Sequence, residues 1–259
     1  MKALTTLFFI ECKKLQRSKI VAITFGLFLF IPVMMGLLVF LARNPELAGK
    51  AGLISMKAAM FGENDWTGYM LVILQVGAGL GMVGSGFIFS YIFGREYTDK
   101  TLKDLLALPV SRATIVVSKL LVGVVWCTAL FVLLYFTSIL AGLVVGVTGD
   151  ASDIFATGKG YAVQGIMTIL ISFPVAYFAS FGKGVMAPLG FVFLSMILAN
   201  LVATVGIGPV FPWAIPGLVA MNSTEPGLHV SAVGYILFSL TVVAGIYLTL
   251  QYWFRADHQ

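Results

Sequence analysis

The chain has 259 residues, of which 59% are hydrophobic and only 10% are charged, and its mean hydropathy is +1.01. A soluble domain of this length carries far more charge to cover its surface. Composition therefore argues against a soluble enzyme, an extended nucleic-acid binder and a disordered chain. The net charge of +5 fits basic loops on the cytoplasmic side of a membrane better than it fits nucleic acid. We expect an all-α polytopic membrane protein with no nucleic-acid partner.

Residues 1–19 place leucines on one helical face and lysines on another, which predicts an amphipathic helix lying in the membrane interface. The apolar run that follows is too long for a signal peptide and is interpreted as an uncleaved first crossing. A single transmembrane domain over 1–259 is expected, because six runs reach the length of about 20 residues that a bilayer requires. These runs are 20–42, 67–93, 120–147, 161–181, 185–205 and 230–254.

Lysine and arginine placement predicts the topology of these six crossings. Both termini, the short turn at Lys183 and the loop at 94–114 with its flank as far as Lys119 together carry twelve of the 16 basic residues, and the opposite side carries four. Cytoplasmic loops of membrane proteins are enriched in lysine and arginine. Both termini are therefore expected in the cytoplasm, which agrees with the even number of crossings.

Motifs for bond chemistry are absent from the sequence. Residues 79–84 match the glycine spacing of a dinucleotide-binding loop, but they lie in a membrane-length run with no strand before them. We interpret Gly77 and Gly81 as small residues at four-residue spacing that allow close helix packing. Together with Ser85 they are candidates for helix packing or for lining a path. No phosphate-binding loop, metal motif or Ser-His-Asp set is found, so no catalytic, cofactor or metal residue is assigned and an integral-membrane enzyme is disfavoured.

The predicted crossings contain almost no ionisable side chains. Carriers driven by an ion gradient usually need a titratable or ion-binding group at depth in the membrane. A secondary transporter is therefore disfavoured, and transport by the purified chain without any ATPase would support it. A non-transporting membrane scaffold stays open. A neutral path suits an apolar or amphipathic cargo better than a small ion.

The loop at 94–114 is the most informative segment. Leu102, Leu105 and Leu106 share one face of a short predicted helix, and Pro109 limits that helix because the residue before a proline avoids the helical region. A leucine face on so short an element needs a cover, either the membrane surface or another protein.

The same loop carries a resemblance to a known family. It resembles the corresponding loop of ABC-transporter permeases of the type-2 export family. The residues that carry the resemblance are Arg95-Glu96-Tyr97, Thr101-Leu102, Leu105-Leu106, Leu108-Pro109-Val110-Ser111-Arg112 and Lys119-Leu120. Within that family, the sequence most resembles the bacitracin- and lantibiotic-resistance permeases. The layout is similar over the whole chain. One departure is Lys100, at a position where many relatives carry glycine, and it bears on the local backbone turn.

The resemblance implies that the 94–114 loop holds a coupling helix, which docks in a groove of a separate ATP-binding subunit. It also implies two ATPase copies that bind ATP and magnesium, a second permease copy that is expected to be identical, and a place among the lipids of the bacterial cell membrane. The exported cargo would be a peptide antibiotic or a similar amphipathic molecule. The residues expected to contact the ATPase or to position the loop are Glu96, Thr101, Leu102, Leu105, Leu106 and Arg112, with Lys119 as a second anchor of the third crossing.

The segment at 206–229 is rich in proline and has no lysine or arginine. Its Pro212, Trp213 and Pro216 are suited to the outer membrane interface, where aromatic side chains collect. Two interpretations are open, an ordinary extracellular connection and a re-entrant outer lid above the translocation path. The family resemblance favours the lid.

Overall fold

The computed structural model describes residues 2–44, 65–149, 151–222 and 229–255. In this part of the chain every regular element is helical, apart from a single bridge between Asp65 and Thr148. The elements are α1 (Lys2–Gln16), α2 (Lys19–Arg43), α3 (Trp66–Thr98), α4 (Leu102–Leu106), α5 (Arg112–Val145), α6 (Ala151–Ile171), α7 (Phe173–Phe181), α8 (Met186–Thr204), a 3₁₀ turn (Gly208–Val210), α9 (Ile215–Asn222) and α10 (Ala232–Arg255).

The prediction of six membrane-length helices is confirmed within the described ranges. The six are α2, α3, α5, α6 with α7, α8 and α10. Two of them begin earlier than hydropathy suggested: α5 begins at Arg112 rather than near 120, and the fourth crossing begins at 151 rather than 161. Hydropathy locates the apolar part of a helix, whereas the helix itself continues into flanking turns that carry polar residues. The second crossing likewise continues to Thr98, past the predicted end at 93.

Two of the long helices have polar caps at their N-termini. The Asp65 carboxylate accepts a hydrogen bond from the Gly68 backbone N–H at 2.9 Å and begins α3. The Ser111 hydroxyl accepts one from Thr114 N–H at 3.2 Å and begins α5. These side chains satisfy donors that have no partner within the helix. The far end of α5 is closed by Gly146, whose left-handed backbone (φ 78°) suits glycine.

Close packing in the bundle depends on aromatic rings seated over glycines. A Cβ atom at Gly81 would lie 2.3 Å from the Phe131 ring, and one at Gly123 would lie 2.5 Å from the Phe89 ring. Neither position has room for alanine without a shift of a buried ring. The contacts join α3 to α5 and let the two helices approach closely, as small residues do in membrane proteins.

Polar side chains inside the bundle bond to backbone carbonyls of neighbouring helices. The Tyr69 hydroxyl donates to Ser138 O at 2.8 Å, the Tyr161 hydroxyl donates to Phe131 O at 3.0 Å, and the Gln164 amide donates to Leu74 O at 2.8 Å. A polar group without a partner is costly where water is excluded. These bonds therefore fix the register of α3, α5 and α6 against one another.

The N-terminal helix α1 turns its buried face toward the bundle. Leu7, Glu11 and Leu15 recur at four-residue spacing and are all at most 4% exposed. Phe9, at 65% exposure, points away from the bundle instead. On the predicted leucine face of this helix, Leu7 and Leu15 therefore pack in the core of the bundle. The position of α1 at the membrane interface stays a prediction.

Candidate functional site

Four charged side chains from three helices meet in the interior, at the end of the bundle that carries α1 and the last turn of α10. Glu11 and Lys14 come from α1, Glu96 comes from α3, and Lys119 comes from α5. We call these four residues the ion cluster. The charges of these two carboxylates and two ammonium groups balance, and the Arg95 guanidinium lies at the edge of the cluster, with its Nε atom 3.9 Å from Glu96 Oε1. Glu11, Glu96 and Lys119 are at most 4% exposed, and Lys14 is 31% exposed.

The Lys119 ammonium group is the centre of the ion cluster. Its Nζ atom lies 2.8 Å from Glu96 Oε1 and 3.0 Å from Glu11 Oε2, and it also donates to Ile92 O at 3.3 Å. All three protons of the ammonium therefore have an acceptor. Removing one partner of such a group strands a buried charge, which is strongly destabilising. The ion cluster thus ties the three helices together.

Lys14 closes the ion cluster on its outer side. Its Nζ atom lies 3.1 Å from Glu11 Oε1 and 3.2 Å from Glu96 Oε1. Burial by itself lowers the pKa of the Lys14 ammonium, but the two carboxylates outweigh it and hold that pKa above its usual value. Lys14 therefore stays charged at neutral pH and neutralises the second carboxylate.

The 94–114 loop is attached to the ion cluster through Thr101. The Thr101 hydroxyl donates to Glu96 Oε2 at 2.6 Å, and its backbone N–H donates to Glu96 O at 3.0 Å. The second bond, together with the bond from Lys100 N–H to Tyr97 O, forms the turn that commonly ends helices. The residue before the final donor in this turn has a left-handed backbone and is usually glycine. Lys100 occupies that place, with φ 57°, which accounts for glycine at this position in the family pattern.

The leucine face of the loop turns inward. Helix α4 has five residues, and Leu102 and Leu105 are 6% and 7% exposed within the hydrophobic core. The expectation that a membrane or partner must cover this face is wrong for these two leucines, because the chain covers them itself. Leu106 is half-buried, while Leu108 at 43% is exposed. A coupling role for Leu102, Leu105 and Leu106 stays a prediction, and any such role for the buried pair acts through the core.

Arg112 holds the last turn of α10. Its guanidinium donates to Trp253 O at 2.9 Å and to Phe254 O at 3.1 Å. These carbonyls lie at a helix C-terminus, where a cation is favoured. Trp253 is itself fully buried, and its indole N–H donates to Ser180 Oγ at 3.0 Å. The start of the third crossing is thus joined to α7 and α10.

The glycine and serine candidates on α3 lie in helix contacts. A Cβ at Gly77 would meet the Tyr161 ring at 3.0 Å, and Gly81 faces Phe131. Ser85 is 1% exposed. A path-lining role for Gly77, Gly81 or Ser85 stays a prediction. Gly79, between the two glycines, borders a cavity of about 310 Å³.

The predicted lid residues lie at the other end of the bundle. Trp213 and Pro216 line the 310 Å³ cavity, and Pro212 is half-buried beside them. Helix α9 is embedded in the bundle, since Ile215 and Ala220 are fully buried. The lid role stays a prediction, and residues 223–228 of the segment lie outside the described ranges.

Comparison with known families decides the class of the protein. The model of the ABC-2 family transporter protein matches residues 7–200, which include the ion cluster and the whole 94–114 loop. The chain belongs to the ABC-2 family. Members of this family are membrane subunits, and ATP hydrolysis is carried out by a separate ATPase. The resemblance inferred from the loop is confirmed, together with a multi-pass location in the bacterial cell membrane.

Among curated proteins, this ABC-2 chain is similar to the bacitracin transport permease protein BCRB of Bacillus licheniformis. The two are 26% identical over 189 residues, which is 73% of this chain and 88% of the relative.

Sequence reasoning missed Glu11, although it named Glu96 and Lys119. A signal for Glu11 was present, because it is the acidic member of the stripe Leu7, Glu11 and Leu15 in an otherwise basic helix. A carboxylate between two leucines at four-residue spacing lies on the face that packs, so a buried cation is needed to neutralise it.

Proposed function

We propose that this chain is the membrane-spanning subunit of an ATP-driven exporter of amphipathic peptides, a peptide antibiotic being the favoured cargo. Two ATPase subunits, with ATP and magnesium bound to them, power it from the cytoplasmic side, and a second copy of the chain completes the path. The ion cluster carries the proposal, because it joins the 94–114 loop to three helices of the bundle.

A force applied to the loop reaches the bundle through defined contacts. Thr101 bonds to Glu96 of α3, Glu96 bonds to Lys119 of α5, and Lys119 bonds to Glu11 of α1. Buried ion pairs break only at high cost. The loop and the ends of α1, α3 and α5 therefore move as one unit, and ATP-driven closure of the ATPase pair would tilt these helices together.

The contact surface for the ATPase is the exposed side of the 94–114 loop. Lys103, Asp104, Ala107 and Leu108 are exposed on α4 and just after it. This surface combines two charged side chains, Lys103 and Asp104, with one large apolar side chain, Leu108. Central apolar residues with a polar rim are typical of stable interfaces. The buried Leu102 and Leu105 support the surface from below.

A second permease copy is supported by polar side chains on the outside of the bundle. Gln75 of α3 and Asn200 of α8 are exposed, and both lie within membrane-length helices. An exposed amide is unfavourable against lipid tails and is usually found in helix contacts or beside water. The face that carries Gln75 and Asn200 is therefore assigned to the path between two copies.

The favoured cargo follows from charge and from similarity. In the described ranges the charged groups of the long helices lie toward their ends, as the ion cluster does, and the middle of the bundle is neutral. The similar protein from Bacillus licheniformis carries bacitracin transport in its name. A neutral path and a peptide-transporting relative together favour an amphipathic peptide.

Transport into inside-out vesicles tests the proposal. The chain is co-expressed with an ABC-type ATPase from the same organism, and bacitracin uptake is measured with and without ATP. We expect ATP-dependent uptake that is lost when the phosphate-binding lysine of the ATPase is replaced by alanine. Uptake that survives this replacement and collapses with the proton gradient would instead establish a secondary transporter.

A further inference from the structure

A second cavity, of about 300 Å³, opens between α5 and α6 on the outside of the bundle. Four of the side chains that line it are exposed, namely Val132, Phe136, Ala162 and Ile166. Both helices belong to stretches that are long and apolar enough to cross a membrane. The cavity is therefore a groove that faces the bilayer, and we call it the α5–α6 groove.

The floor of the α5–α6 groove is apolar because its tyrosine hydroxyls are bonded elsewhere. The Tyr135 hydroxyl donates to Ile154 O at 2.9 Å, and the Tyr161 hydroxyl donates to Phe131 O at 3.0 Å. Gly158 leaves room for the first ring, since a Cβ atom there would lie 2.5 Å from the Tyr135 hydroxyl oxygen. A peptide or a sugar would find few hydrogen-bonding groups in this groove, whereas a hydrocarbon chain requires none.

The length of the α5–α6 groove matches one leaflet of a bilayer. On α6 the lining runs from Gly158 to Ile169, which is about 16 Å at a rise of 1.5 Å per residue. On α5 it runs from Thr128, the remaining polar side chain of the lining, to Phe136, which is about 12 Å. The hydrocarbon core of a bilayer is about 30 Å thick, so one leaflet contributes about 15 Å. An acyl chain lying in the groove would reach from the headgroups to the middle of the membrane.

Lys159 places a positive charge at the end of the groove that lies nearer the start of α6. It follows Gly158 of the lining and shares a row of α6 with Ala162 and Ile166, at three- and four-residue spacing. Side chains of a helix tilt toward its N-terminus, so the ammonium group reaches away from the middle of the membrane. Lys159 is exposed and has no salt-bridge partner among the residues that the structure describes. A phosphate at headgroup level would therefore pair with it.

We propose that the α5–α6 groove binds one acyl chain of an anionic phospholipid whose phosphate pairs with Lys159. The apolar floor favours a hydrocarbon chain, the length favours a chain that spans one leaflet, and the cation fixes the headgroup end. The site needs neither an ATPase nor a cargo, so it is independent of the proposed transport function. An apolar helix from a second copy fits less well, because it would leave Lys159 without an anion.

The experiment uses the full chain in lipid nanodiscs. The probe is a phosphatidylglycerol with a diazirine near the middle of one acyl chain, and adducts are mapped by mass spectrometry after irradiation. We expect adducts concentrated at Val132, Ile166 and Ile169, which line the groove. Adducts spread evenly over the exposed side chains of α2 and α10 would overturn the proposal, because ordinary boundary lipid contacts every exposed face alike.

Ala162 provides a substitution that fills the groove. It lines the groove and is exposed, so phenylalanine at this position occupies the space without displacing a buried side chain. Ala244 of α10 is the matched control, since it is exposed on another membrane-length helix and lies outside the lining. Ala162→Phe should reduce the groove adducts at least about five-fold, and Ala244→Phe should leave them unchanged. Both variants should keep the melting temperature within a few degrees, and undiminished labelling of Ala162→Phe would overturn the proposal.

Two further arms test the headgroup and the occupant. Lys159→Gln should lower labelling about five-fold, the effect of one basic residue at an anionic membrane surface, whereas Lys159→Arg should preserve it. Equal labelling of Lys159→Gln and the unchanged chain would contradict the phosphate contact and with it the proposal. Ile166→Cys, in a chain otherwise free of cysteine, should stay monomeric under oxidation. A disulfide between two chains at this position would show that a second copy covers the groove, and would also overturn the proposal.

Discussion

Lys119 and Glu11 are 108 residues apart in the sequence, and their charged groups lie 3.0 Å apart in the interior of the bundle. The contact joins α5 to α1, and Lys119 also reaches Glu96 at 2.8 Å. Helix α1, which the sequence places at the membrane surface, is therefore held by an ion pair to α5, the helix that follows the 94–114 loop.

Replacing Lys119 by methionine should lower the free energy of unfolding by about 3–5 kcal/mol, because Glu11 and Glu96 lose their fully buried cation. Lys14, which is partly exposed, and Arg95, whose Nε lies 3.9 Å from Glu96 Oε1, are then the cations left beside them. The measurement is the melting temperature of the purified chain in detergent. Lys103→Met is the control, since Lys103 is exposed on α4 and its replacement should change stability by less than about 0.5 kcal/mol. Equal melting temperatures for the two variants would show that the ion cluster is not structural.

Glu11→Gln should loosen α1 specifically. The amide keeps the shape but loses the charge-assisted bonds to Lys14 and Lys119, which are each worth about 1.5–3 kcal/mol. We expect backbone amides of residues 2–16 to exchange with deuterium about ten-fold faster or more, with little change in α10. Lys13→Gln, on the exposed side of the same helix, should leave exchange unchanged. Unchanged exchange in Glu11→Gln would contradict the attachment of α1.

Lys100→Gly should raise stability. Lys100 has φ 57°, in the left-handed region that costs a non-glycine residue roughly 1–2 kcal/mol, while glycine brings extra entropy to the unfolded chain. The net gain should be about 0.5–1 kcal/mol, seen as a higher melting temperature. Lys103→Gly, three residues later in α4, should be destabilising by about 1 kcal/mol. If both glycine variants lose stability, the turn described at the end of α3 is incorrect.

Two leucines of the same loop should respond differently to aspartate. Leu105→Asp buries a charge in the core and should lower the melting temperature strongly, since Leu105 is 7% exposed. Leu108→Asp should leave the melting temperature within a few degrees, because Leu108 is 43% exposed, and should reduce co-purification of the ATPase. Loss of the ATPase in both variants with normal melting temperatures would mean that α4 docks through its leucine face after all.

Hydropathy predicted the number of membrane-length helices correctly because each crossing must bury its own backbone polar groups in an apolar stretch. It placed the starts of α5 and the fourth crossing too late, since the added turns carry charged residues such as Arg112, Asp153 and Lys159. Those turns are stabilised by capping and by tertiary contacts, which average hydropathy does not register.

The loop motif identified Glu96 and Lys119 as candidate functional residues, but it did not predict which side chains they contact. Their partner Glu11 comes from a distant helix, and no local spacing links the three. The predicted outward direction of the leucine face was wrong for a related reason. A helix of five residues has no orientation of its own, and that of α4 is set by the turn at Lys100 and by the bond from Thr101 to Glu96.

The central claim is that an ATPase engages the exposed side of the 94–114 loop. The most direct measurement is photo-crosslinking with benzoylphenylalanine at position 108. The control is position 205, directly after the C-terminal end of α8, where Val205 is 72% exposed. The account predicts an adduct between the chain and the ATPase at position 108 and none at position 205. An adduct at position 205 with none at position 108 would contradict it.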